Sequence, residues 1–122
     1  MRSIGSGVAL CLAAAMTFGA TYAARCGEYA PMDCAKPGSP AQRAVCQNYW
    51  LGQDEARMAT LYGVVTSLVP MGWRATLEDA QRQWLKARDA CGADTACLNG
   101  AYARRIQELN DVVTEIASRG PF

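Results

Sequence analysis

Cysteines without a single histidine define most of the chemistry open to this chain of 122 residues. Thiols stand at Cys11, Cys26, Cys34, Cys46, Cys91 and Cys97, and thiols can form disulfides, exchange electrons or ligate metal. A redox pair favours C-x-x-C at a helix start, a spacing that neither of the nearest cysteine pairs has. With no histidine anywhere, a zinc site is the weaker reading and a conventional serine or cysteine triad is excluded. No glycine-rich phosphate loop is present. The adjacent carboxylates Glu78 and Asp79 would point about 100° apart on a helix, which suits the positive end of a helix dipole better than acid/base work. The expectation is a protein that is not an enzyme and carries no metal or cofactor.

A second group of residues has the chemistry of recognition and of buried pairing. Asp54 and Arg88 fall on faces that are otherwise apolar, where a charge is costly unless paired. The expected structural network joins them, with Tyr62, Gln81, Tyr102 and Arg105 as further members. Trp73 beside Arg74, in a stretch containing Pro70 and Gly72, combines two residue types that anchor protein interfaces. Tyr49 and Trp50 are a second aromatic pair of that kind, while Trp84 falls on an inner helical face and reads as core.

The elements that position these side chains follow from periodicity and punctuation. Arg2, an apolar run over residues 8–20 and the small-residue exit at residues 21–23 predict a signal peptide of residues 1–23. Its run of about 13 residues falls short of the roughly 20 that span a bilayer, so no stable membrane span is expected in the mature chain. The expected product is periplasmic or secreted. Of 12 Lys and Arg, Arg2 leaves with that segment, so 11 remain against 11 Asp and Glu. A balance near zero without a clustered basic face excludes nucleic acid as a natural partner.

Export makes disulfides the default for the five cysteines that remain. Pairing by proximity gives Cys34 with Cys46 and Cys91 with Cys97, each closure contributing under about 3 kcal/mol. Connectivity stays open at this point, because each choice of odd cysteine leaves three pairings of the other four. Cys26 is the odd thiol in the proximity scheme. Arg25 precedes it, where lipid attachment requires a small residue, so it reads as a free thiol, as the link in a disulfide-bonded dimer, or as an alternative partner for Cys34.

Residues 24–39 mix Gly, Pro and small residues into an irregular lead-in. Ser39 and Pro40 signal a helix start. A first helix then runs towards Val69, with Leu51, Met58, Leu61, Val65 and Leu68 as its seam and a break near residues 47–52, where Gly52 weakens propensity. Residues 69–75 read as a loop carrying Trp73. Thr76 is the expected cap of a second helix, which Gly92 stops in a left-handed conformation. Asp94 or Thr95 opens a third, with Leu98, Tyr102, Ile106, Leu109, Val113 and Ile116 inward and Gly120 and Pro121 at its end. No strand alternation and no internal repeat competes. The predicted fold is all-α, an antiparallel bundle of about three helices over residues 40–122, stapled by local disulfides.

Taken together, MDCAKPGSPAQRAVC, then Leu51, Asp54 and Tyr62, then QRQWLKARDAC and CLNGAYARRIQEL resemble the LprI-type domain, a family of small exported bacterial proteins that includes lysozyme inhibitors. The resemblance covers residues 32–109. Departures are Gln42, where a glutamate is usual, the bulky Tyr49 and Trp50, and the PMGW stretch. The resemblance implies binding to a lysozyme and occlusion of its cleft. The matching positions are those of core, bridges and pairing, so recognition is expected at positions the pattern leaves free. The loop of Trp73 and Arg74 is the expected intruder, with Tyr49 and Trp50 as further contacts. A cell-envelope interaction module bridged through Cys26, or an immunity protein against a wall-degrading toxin, is the alternative.

Overall fold

Helix-capping chemistry sets the boundaries of almost every element. The computed structural model describes residues 32–120, and the expected signal peptide, Cys26, the first part of the lead-in and Pro121 lie outside them. Four helices are described: α1 (Pro40–Gln47), α2 (Tyr49–Leu68), α3 (Met71–Ala90) and α4 (Thr95–Ser118). Among the described residues there is no strand.

The N-terminus of α1 is closed by Ser39, whose hydroxyl accepts the Gln42 N–H, while the Gln42 side-chain oxygen accepts the N–H groups of Ser39 and Gly38. This is a reciprocal capping box with Pro40 in the first turn. An amide oxygen serves here as well as a carboxylate, which accounts for glutamine at position 42. The Cys34–Cys46 bridge holds the preceding turn to the helix, and Met32 packs against the core.

The expected break near residues 47–52 falls at Asn48, between α1 and α2. Asn48 is extended, and its side-chain oxygen accepts the N–H groups of Trp50 and Leu51 at 3.0 and 3.2 Å. One residue therefore ends one helix and caps the next. Gly52 sits comfortably inside the first turns of α2, its N–H bonded to the Asn48 carbonyl.

The expected loop over residues 69–75 is the clearest correction. Only Val69 and Pro70 connect α2 to α3, and Trp73, Arg74 and Thr76 are helical. Pro70 biases Val69 towards the extended conformation it adopts, which stops α2. Proline then sits just before the new helix, where its missing N–H is not needed. Gly72 lies in the first turn, where its roughly 1 kcal/mol propensity cost is offset by the packing of Trp73 on the core. Thr76 does not cap; its hydroxyl donates to the Gly72 carbonyl one turn back.

At the other turn the sequence signals hold. Gly92 has φ 57°, and the Asp94 side chain accepts the Cys97 N–H at 3.0 Å as the cap of α4. The Cys91–Cys97 disulfide closes that turn.

The three long helices run up, down and up. Glu55 of α2 meets Tyr102 of α4 and Arg88 of α3; one turn along, Gln81 of α3 meets Met58 and Arg105. Hence α2 and α4 are parallel, α3 is antiparallel to both, and the most extensive helix contact is between the parallel pair. Leu51, Met58 and Val65 of α2 face Leu98, Tyr102 and Leu109 of α4 in one core, to which α1 adds Ala41 and Val45. The expected small bundle of about three helices, stapled by local disulfides, is the observed fold, with α1 as a short fourth helix laid across α2 and α3.

Leu109 is completely buried in this core. Leu109→Ala is expected to lower unfolding free energy by about 2–5 kcal/mol, read from urea denaturation followed by circular dichroism.

Candidate functional site

Two regions have polar or aromatic groups arranged beyond what a minimal bundle needs. The first is interior. Arg88 and Glu55 are both buried, with the guanidinium Nη1 3.6 Å from Glu55 Oε2. The Tyr102 hydroxyl donates to the same carboxylate oxygen at 2.6 Å. Arg88 also donates through Nε and Nη2 to Asp89 Oδ1, at 3.1 and 2.8 Å, and its guanidinium lies 5.6 Å from the Trp84 ring. Trp84 in turn meets Tyr102 edge-on and donates its indole N–H to the Ala101 carbonyl at 3.0 Å. From Asp89 the chain of contacts reaches the surface at the Ser39 hydroxyl, 3.4 Å away. A neighbouring set joins Arg105 to Gln81 and Glu108, with the Gln81 amide directed at the Met58 sulfur.

Burial pushes the Glu55 carboxyl above its ordinary 4.5, against the downward pull of the Tyr102 hydrogen bond and the Arg88 charge. Burial, and then the bond to Glu55, drive the Tyr102 phenol far above its usual value, so it is a donor at every physiological pH. For Arg88, burial alone would favour the neutral form, yet the hydrogen bond to Asp89 and the contact with Tyr102 outweigh it and the guanidinium keeps its charge.

Of the six residues expected in one network, four take part, divided between two sets, and two do not. Gln81, Arg88, Tyr102 and Arg105 take part. Asp54 does not: it is half-buried and has no hydrogen bond or ion pair with any described residue, while the next residue, Glu55, points inward. Tyr62 packs against the core without a hydroxyl contact in the network. Glu55 lies four residues after Leu51 and three before Met58, so it completes the buried stripe 51–55–58. That spacing was a usable signal, but Asp54, three after Leu51 and four before Met58, satisfies it equally. The α4 residue that Arg105 engages, Glu108, and the α3 residue Asp89 lie outside the apolar stripes and carried no signal.

The second region is on the surface. Tyr49 and Trp50, at the start of α2, are 69% and 73% exposed and stack edge-to-face at 5.2 Å. Beside them a cleft of about 410 Å³ opens between Arg43, Ala44 and Gln47 of α1, Asn48, and Ala93 and Thr95 at the opposite turn. Trp73, by contrast, is half-buried on the core, with the Arg119 guanidinium 4.9 Å from its ring. Arg74 is half-buried as well, and its Nε has no hydrogen-bond partner. The structure thus leaves Tyr49 and Trp50 free for contact and commits Trp73 to packing.

Among the described residues, no group of three or more Cys, Asp or Glu is gathered to hold a metal. No described helix is long and apolar enough to cross a membrane.

Comparison with known proteins places these features in context. The family profile described as "Lysozyme inhibitor LprI" matches residues 34–110, from the first bridged cysteine to the residue after Leu109. "Lipoprotein LprI" of Mycobacterium bovis and of two strains of Mycobacterium tuberculosis is 35% identical over 81 residues. That alignment covers 64% of this chain but only 40% of each relative, so the chain spans well under half the length of the curated relatives it matches. No solved structure matches.

The interior network makes a pH prediction whose sign is set by the raised Glu55 value. The folded carboxyl holds its proton more tightly than the unfolded one, so its stabilising contribution is complete below pH 4.5 and is lost as pH rises through the raised folded value. Glu55→Gln keeps an acceptor for Tyr102 without the charge. Urea midpoints of wild type and variant are expected to coincide at the acid end and to separate in the variant's favour as pH rises. Tyr102→Phe, which strips the carboxylate of its shortest bond, is expected to cost about 1–3 kcal/mol at neutral pH by the same measurement.

Proposed function

The chain belongs to the LprI lysozyme-inhibitor family, and from that premise we propose that it is an exported, non-enzymatic protein that binds a lysozyme and occludes its cleft. The observation that carries this reading is the extent of the family match. It takes in both disulfides, the whole of α1, α2 and α3, the greater part of α4, and the Glu55–Arg88–Tyr102 centre. A shared scaffold does not by itself transfer activity, and the curated relatives are longer. Three properties of the molecule support the transfer.

A competitive inhibitor must offer a surface whose shape is set before contact, because ordering it on contact subtracts from affinity. Here the short helix α1 is tethered by Cys34–Cys46 on one side and by the Ser39–Asp89 contact on the other. Exposed aromatic side chains stand at the end of the molecule so stiffened. The near-neutral charge of the mature sequence suits recognition by local features better than by a broad electrostatic field.

The test is a turbidity assay in which the mature protein is added to lysozymes of different structural types acting on a bacterial wall suspension. At least one type is expected to clear the suspension more slowly, in proportion to the inhibitor added until it is saturated. Undiminished clearing by every type overturns the reading.

A further inference from the structure

The partner face of a scaffold such as this must lie where its polar and apolar groups are not already engaged. Two exposed apolar groups meet that condition. At the α2–α3 connection, Val64, Leu68 and Met71 are exposed, the last two at 52% and 76%. They are aliphatic, and the cleft beside α1 does not extend to them. Nothing in their chemistry selects a partner. At the opposite end, the exposed pair Tyr49 and Trp50 follows directly after Asn48 on the cleft rim, and there the chemistry is selective.

Arg43 is the sole charged side chain lining that cleft, and it is exposed. Asp94, between the two residues of the opposite wall, is exposed and accepts the Cys97 N–H as the cap of α4, and no ion pair joins it to Arg43. Asn48 has its oxygen occupied by the N–H groups of Trp50 and Leu51, which leaves its amide N–H₂ as a donor on the rim. The cleft therefore presents the Arg43 guanidinium and amide groups from Gln47 and Asn48, and the two exposed aromatic residues follow directly after its rim residue Asn48. Its complement is a groove with sugar-binding walls and paired acidic groups. Glycosidases that cleave glycan chains have that combination, with two catalytic carboxyl groups flanking the scissile bond.

We propose that this face, built from Arg43 and Gln47 of α1 and Tyr49 and Trp50 of α2, is the surface that enters the lysozyme cleft. The assignment rests on the inhibitor reading above. The indole and phenol rings lie against the wall that otherwise stacks on sugar rings, and the Arg43 guanidinium is directed at the catalytic carboxylates, where a charge-assisted bidentate contact is available. The interior network acts on this face at a distance. Arg88 and Asp89 set the position of Ser39, and Ser39 caps the helix from which Arg43 projects. The amino-terminal turn of α4, at Ala93 and Thr95, forms the facing wall and is fixed by the second disulfide.

The experiment measures affinity and inhibition for a lysozyme that the wild-type protein inhibits, using the full mature chain with Trp50→Ala, Arg43→Glu and, as a control at the opposite end, Met71→Ala. All three positions are exposed, and circular dichroism verifies the fold of each variant. Trp50→Ala is expected to weaken binding about thirtyfold, as removal of an interface anchor does. Arg43→Glu is expected to weaken it by at least about tenfold and to abolish the part of the affinity that falls with added salt. Met71→Ala should bind as wild type does. Wild-type affinity in both Trp50→Ala and Arg43→Glu, while the wild-type protein inhibits, overturns this surface and leaves the inhibitor reading standing. Failure of the wild-type protein to bind any lysozyme overturns both.

Discussion

A carboxylate enclosed by three helices is the constraint on which the rest of this molecule depends. Glu55 is removed from water, and the transfer of an unpaired charge into a protein interior is among the costliest events in folding. The chain meets that cost by bringing one donor from each neighbouring helix, the Tyr102 hydroxyl from α4 and the Arg88 guanidinium from α3. Those two requirements set the register of all three long helices at once. A sliding of α4 by one turn would remove Tyr102 from reach, and a sliding of α3 would leave Arg88 against apolar side chains. Apolar packing of Leu51, Leu98 and Leu109 favours association of the helices but tolerates several registers, whereas the polar centre tolerates one.

The same centre explains an otherwise unexpected arrangement, the close packing of α2 on α4, which are parallel and separated in sequence by the whole of α3. Neighbours in sequence usually pack first. Here the two-residue connection Val69–Pro70 turns the chain back, but α3 lies principally on α4, so the seam of α2 is completed by a helix that arrives later. Trp84 and Arg88 of α3 close over Tyr102 from the outside, which makes α3 a cover for the polar centre as well as a return strut.

Much of this was legible in the residues because local chemistry and global structure agree. Ser39, Pro40, Gly92 and Asp94 are helix punctuation with one meaning each, and short cysteine spacings leave little geometric choice once helices bracket them. Three features were not legible, each for a stated reason. Pro70 and Gly72 compose a loop on paper, yet a proline just before a helix and a glycine inside its first turn are both compatible with helix, and the packing of Trp73 decides the matter. Asp54 and Glu55 fit the stripe of α2 equally well, and only the side from which α4 approaches distinguishes them. The aromatic pair at residues 49 and 50 was visible as composition, but its exposure follows from the phase of α2 after the Asn48 cap, which puts Leu51 in the core and leaves Tyr49 and Trp50 outside it.

Both covalent bridges lie at one end of the bundle. Cys34–Cys46 ties the lead-in to the last turn of α1, Cys91–Cys97 holds the turn that faces it, and the far end, among the described residues, is held without a covalent bridge, by apolar packing, the Val69–Pro70 connection and the stacking of Arg119 on Trp73. Such a molecule does not open evenly. Thermal fraying and protease attack begin at the unbridged tip, where the last turn of α4 and the connection between α2 and α3 can loosen at little free-energy cost, and they proceed towards the crosslinked base. The surface at the base is consequently the last to lose its shape, so a partially cleaved copy would keep its α1 face after its opposite end has begun to unravel.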